Sequence, residues 1–133
     1  MKPYRIVSNI VGFMLFVQVI LGGFATLVQR EPYESTHIVW GIITFAVLII
    51  ATVYAVKALG TKSSLFGVGV AAIVDFVIQI ALGLGILFNN YDSVTVVIHL
   101  TNAFVLGVLT TYLISFADAA DKAALAAVAT KPM

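Results

Sequence analysis

Two histidines, His37 and His99, are the only imidazoles in the chain. Each stands near the start of a long apolar stretch, and each is followed four residues later by a small residue, Gly41 or Ala103. Four residues is about one helical turn, so each small residue shares a face with its histidine and leaves room beside the ring. Neutral imidazole is an axial ligand for haem iron, and two histidines on facing helices make a six-coordinate b-type site. Zinc or copper is the alternative, but two histidines underfill a four-coordinate site, so Glu34 would have to ligate as well. A third reading makes both histidines polar packing contacts.

Other residues cluster around this pair. Glu34 lies three positions before His37, on nearly the same helix face; it either favours the helix macrodipole or does chemistry beside the ligand. Arg30 lies on the same rim, as an interface anchor or as a bidentate partner for haem propionates. Phe24, Trp40, Phe45 and Phe104 are candidates to wall a porphyrin or to pack against the bundle or lipid. Asp75 falls near the middle of an apolar run, where a carboxylate is costly unless protonated or paired. It is read as a proton carrier or as a protonated structural group bonded to Gln79.

These residues need elements to hold them. The chain has 133 residues, 62% of them hydrophobic and 10% charged, with a mean hydropathy of +1.12. That is too apolar for an ordinary soluble domain. Apolar runs at 6–28, 36–57, 65–88 and 94–117 each approach the roughly 20 residues that cross a bilayer. They do not alternate apolar and polar residues as outer-membrane strands do. The expected fold is all-α, a single integral-membrane four-helix domain whose alanine-rich tail at 118–133 extends the last helix into water or along the surface and frays before Pro132.

A net charge of +1 gives no basic face for nucleic acid, and the absence of cysteine excludes disulfides and thiolate metal sites. The first run is longer than a signal-peptide core and belongs to the repeat described next, so it is expected to stay in the mature protein. Lys2, Arg5, Lys57, Lys62, Lys122 and Lys131 fall outside the runs on one side, and Arg30 alone on the other. The positive-inside rule then places both termini in the cytoplasm of a multi-pass cell-membrane protein, with the histidines towards the outside.

The runs pair into a hairpin written twice. Gln18 stands four residues before Gly22, and Gln79 four before Gly83. Each glycine precedes its histidine by a similar interval, which implies a pseudo-two-fold axis along the membrane normal. The glycines read as close-packing positions that can also admit a flat ligand. Gln18 and Gln79 read as hydrogen-bond partners across helices.

At these residues the sequence resembles one half of a haem A synthase, the family that oxidises the methyl group of haem O to give haem A. The resemblance covers roughly 9–117 and rests on Gly22 and Gly23, on Glu34 and His37 as Glu-x-x-His, on Gln79 and Gly83, and on His99. It implies that His37 and His99 bind the porphyrin and that Glu34 is needed for the oxidation. The full family has eight helices in two halves, one for substrate and one for a haem b cofactor, where this chain has one half. A cysteine pair common in the outer loop is absent, and Ile38 stands where an arginine often follows the first histidine. One site cannot hold both porphyrins, so synthase activity implies a homo-oligomer or a partner. The alternative is a b-type cytochrome, an electron-transfer subunit of a respiratory complex or quinone pathway.

Overall fold

The computed structural model describes residues 2–29 and 31–129. Four helices account for nearly all of them: α1 (Pro3–Val28), α2 (Tyr33–Leu59), α3 (Ser64–Phe88) and α4 (Ser93–Ala129). Their ends follow local chemistry. Proline opens α1, where its missing N–H costs nothing. The Ser63 hydroxyl accepts the Phe66 N–H at 3.2 Å and caps α3, and the Asp92 carboxylate accepts the Thr95 N–H at 3.0 Å and caps α4. Gly60 ends α2 at φ +80°, a backbone that other residues resist.

One boundary differs from the sequence reading. Helix α2 starts a turn early, because the Pro32 carbonyl already accepts the Thr36 N–H at 3.0 Å. Helix α4 continues through the alanine-rich tail to Ala129, as its alanine content leads one to expect. At 1.5 Å per residue it is about 55 Å long, against about 30 Å of hydrocarbon, so its last turns project beyond a bilayer. Helix α1 holds that projection. Arg5 pairs with Asp118 at 2.6 Å and with Asp121 at 2.8 Å, and Asp121 also accepts the Lys2 backbone N–H at 2.8 Å. A side chain of α4 thus caps α1, whose own N-cap residue makes no side-chain bond.

The helices form a ring in which each packs its backbone against its two neighbours, while the backbones of the diagonal pairs stay apart among the described residues. Contacts within the α1–α2 and α3–α4 hairpins are more extensive than those between hairpins. The core sits in the half nearest the termini, around Val11, Leu48, Ala51, Ala72, Leu106 and Leu113. Towards the other end buried residues are few, and the ring opens around a cavity.

All four helices are long and apolar enough to cross a membrane. Their outward faces carry residues such as Phe13, Phe16, Ile42, Val74 and Phe104, each more than half exposed. A belt of this extent calls for lipid, and the chain is a multi-pass membrane protein. Its buried hydroxyls obey the same constraint: Ser8, Thr44, Thr52 and Thr110 each donate to the carbonyl four residues back.

Glycine sets the spacing between hairpins at one place. A Cβ on Gly69 would lie 2.5 Å from Thr52 Oγ1 and 3.2 Å from Thr52 Cβ. Gly69→Ala is expected to overpack this contact and cost about 1–3 kcal/mol, read as a lower thermal midpoint in detergent. Thr52→Ala in the same chain should recover most of the loss.

Candidate functional site

Helices α2 and α4 lie diagonally across the ring, and their histidines face each other there. The His37 and His99 ring centroids are 6.4 Å apart, with planes at 74°. The repeat expected from sequence is visible in the bonding. Gln18 Nε2 lies 3.4 Å from His37 Nε2, and Gln79 Nε2 lies 3.2 Å from His99 Nε2, across intervals of 19 and 20 residues. At equivalent positions Trp40 Nε1 donates to the Met14 carbonyl at 2.8 Å, and Asn102 Nδ2 to the Asp75 carbonyl at 3.4 Å. Each hairpin therefore buttresses its histidine in the same way.

Glycine makes this arrangement fit. A Cβ on Gly22 would come within 2.8 Å of His37 Cε1, and one on Gly83 within 3.3 Å of His99 Cε1. The rings lie where those side chains would be. Gly41 does not seat an imidazole: its open side is filled by Gln18, whose Nε2 is 2.8 Å from the Cβ position. A helix turn below His99, Ala103 lines the cavity.

The cavity encloses about 280 Å³ and brings together Gly22, Glu34, His37, Gly41, Gly83, His99 and Ala103 from the sequence reading. Arg30 lies outside the described residues. None of the four candidate wall aromatics lines the cavity. Phe24 stacks on Tyr33 and Phe45 packs against Phe76. Trp40 is tied to Met14, and Phe104 is 73% exposed on the outer surface. The aromatic lining comes instead from Phe76 and from Tyr91, in the turn before α4.

Tyr91 went unmarked in sequence because a tyrosine in a polar loop carries no pattern. Burial, followed by the nearby Glu34 carboxylate and the charge of Glu31, pushes its pKa up to about 12. It is a neutral donor at the cavity rim. Asp75 lies apart from the cavity lining. Gln79 turns to His99 and Asn102 instead of to the Asp75 carboxyl, whose Oδ2 is buried without a hydrogen-bond partner.

The donor set can be tested against its possible ligands. No cluster of three or more His, Cys, Asp or Glu suited to a metal ion occurs among the described residues, so a bare tetrahedral ion finds too few ligands. A planar group that brings its own equatorial donors needs only two axial ones. Two coaxial imidazoles at metal–nitrogen bonds of about 2 Å have centroids about 6 Å apart, close to the spacing here. His37 Nδ1, His99 Nδ1 and Gln18 Oε1 are buried without hydrogen-bond partners. Orphaned polar atoms around a cavity walled by glycines suit a bound polar-centred, flat group.

Compared with family models, with curated proteins and with solved structures, the chain matches none. The site is therefore defined by its geometry.

The two glycine seats differ in tightness. Gly22→Ala is expected to displace the His37 ring, whereas Gly83→Ala should move His99 less, because 3.3 Å can be relieved by a shift of a few tenths of an ångström. Imidazole 1H–15N chemical shifts in detergent measure both displacements in one labelled sample of each variant.

Proposed function

We propose that this membrane protein holds one haem between His37 and His99, and that the haem is its substrate, as in haem A synthases. The observation that carries the reading is the facing pair of imidazoles, 6.4 Å apart across a glycine-walled cavity. His37 and His99 would hold the iron, Gly22 and Gly83 leave space for the rings, and Gly41 and Ala103 keep the walls below them thin. Bound haem, as haem b, haem O or haem A, supplies iron redox chemistry that no side chain of this chain has.

An asymmetry within the repeat favours an enzyme. Glu34 stands three residues before His37, while the equivalent position before His99 is Val96. An electron carrier has no use for a single carboxylate at the rim of a duplicated site. Oxidation of a porphyrin methyl to a formyl group does, because it takes oxygen from water and releases protons and electrons; the electrons would pass to the second haem or partner subunit that the activity requires. Glu34 would be suited to take up a released proton beside the neutral Tyr91 phenol. Arg30, four residues before Glu34 in the sequence, is assigned to the propionates. One cavity admits one porphyrin, so the activity requires a second haem-bearing copy or a partner subunit.

One feature of the site favours a second reading. Two histidine ligands would leave a bound iron no position free for a reactant, which suits a b-type cytochrome passing electrons to a quinone or a respiratory complex.

The variants separate these readings. His37→Ala and His99→Ala should each abolish a low-spin bis-histidine spectrum; an unchanged spectrum in either removes the haem assignment. Glu34→Gln should leave haem occupancy normal and abolish haem A formation in cells supplied with haem O. If the wild type makes no haem A while its haem is reduced and reoxidised reversibly by quinol, the carrier reading replaces the enzyme.

Orientation is assigned from charge: Lys2, Arg5, Lys57, Lys62 and Lys122 lie towards the end of the bundle that carries the termini, which is assigned to the cytoplasm. Single cysteines at Ser63→Cys and Ser93→Cys should label from opposite sides of the cell membrane, Ser93→Cys from outside. Labelling of Ser63→Cys from outside reverses the topology.

A further inference from the structure

The two histidines occupy equivalent places but are not held equivalently. In both rings Nδ1 has no hydrogen-bond partner, so the contact at Nε2 alone sets which nitrogen carries the proton. Each Nε2 meets a glutamine amide. An amide can present either its NH2 or its oxygen, and what holds its other end decides which.

For His99 the other end is anchored. The Asp75 backbone carbonyl can only accept, so the group of Asn102 that faces it must be the NH2. The same NH2 lies 2.9 Å from Gln79, and must therefore face the oxygen of that amide. The NH2 of Gln79 is left pointing at His99 Nε2, 3.2 Å away. Nε2 has to accept, and the proton sits on Nδ1. The polarity of one backbone carbonyl is thus passed through two amides to an imidazole.

On the other hairpin the relay stops. The residue equivalent to Asn102 is Trp40, which has a single N–H and spends it on the Met14 carbonyl. No donor remains for Gln18, whose Oε1 is buried without a hydrogen-bond partner. Gln18 can turn either way against Gly41, and His37 can protonate at either nitrogen.

We propose that Asn102 is a positioning residue that fixes His99 in the Nδ1-protonated tautomer, so that a ligand need only displace the Gln79 N–H to reach the Nε2 lone pair, while His37 is left tautomerically free. That this makes His99 the preset ligand and His37 the adaptable one rests on the haem reading above. The tautomer assignment itself concerns the ligand-free protein.

The test is imidazole 15N NMR of histidine-labelled, ligand-free protein in detergent at pH 8.5, above the ordinary imidazole pKa of about 6.5. A His37→Gln sample assigns the signals. His99 should show about a tenfold excess of the Nδ1-protonated form, the bias that one hydrogen bond of ordinary net strength gives, and His37 a mixture of both. Asn102→Leu should return His99 to a mixture and leave His37 unchanged. Equal tautomer ratios at the two wild-type histidines, or a His99 protonated at Nε2, overturn the proposal even if Asn102→Leu does not fold. An unaltered His99 ratio in a folded Asn102→Leu also overturns it.

Titration with hemin then separates this proposal from the functional one. Affinity should fall about two- to fivefold in Asn102→Leu, in proportion to the lost fraction of competent tautomer. Tautomer asymmetry in a wild type that binds no hemin upholds the relay and removes the haem reading. Hemin binding without asymmetry does the reverse.

Discussion

Hydrocarbon offers no hydrogen bonds, and every polar group this chain carries into the bilayer has to find its partner within the bundle. Much of the architecture follows from that. The buried threonines and Ser8 turn back on their own helices. Trp40 and Asn102 reach across to backbone carbonyls of the neighbouring helix. The glutamines of α1 and α3 turn towards the histidines. Once these demands are met, a few polar atoms remain without partners, and most of them lie at the cavity. In a medium that penalises unsatisfied groups, this concentration is the mark of a site.

Packing divides the bundle by depth. Near the termini the helices meet through a core of leucines and alanines, and an ionic cluster of Arg5, Asp118 and Asp121 ties the projecting end of α4 to the start of α1. Nearer the histidines the hairpins part. The tight end fixes the angle and separation of the hairpins, and the open end uses that separation to hold two imidazoles apart. Rigidity is thus supplied away from the site, which leaves the site free of core-filling side chains.

Duplication explains the symmetry of the site, and departures from duplication carry its individual properties. Glu34 against Val96 gives one rim a carboxylate that the other lacks. Asn102 against Trp40 gives one imidazole an anchored amide and the other a free one. A perfectly repeated bundle would hold a ligand with two identical faces. Here the two sides of the cavity present different chemistry.

The all-α membrane fold was legible in the sequence because twenty-residue apolar runs have few other solutions, and hydropathy is additive along the chain. The histidine pair was legible because two imidazoles in an apolar chain stand out, and the closely similar intervals from glutamine to glycine to histidine declared the repeat. What escaped depended on the rotation of each helix about its axis. Phe104 and Trp40 sit near the histidines in sequence, yet one faces outward and the other seals a hairpin. Tyr91 reaches the cavity because the chain before it turns through residues with positive φ at Asn90 and Tyr91, which no local pattern announces. Asn102 shares a face with His99, but its role lies in a carbonyl on another helix. Composition and spacing determine which residues lie at the same depth in a membrane; only the tertiary packing decides which of them meet, because the pairing of side chains across helices is set by contacts that neither helix encodes alone.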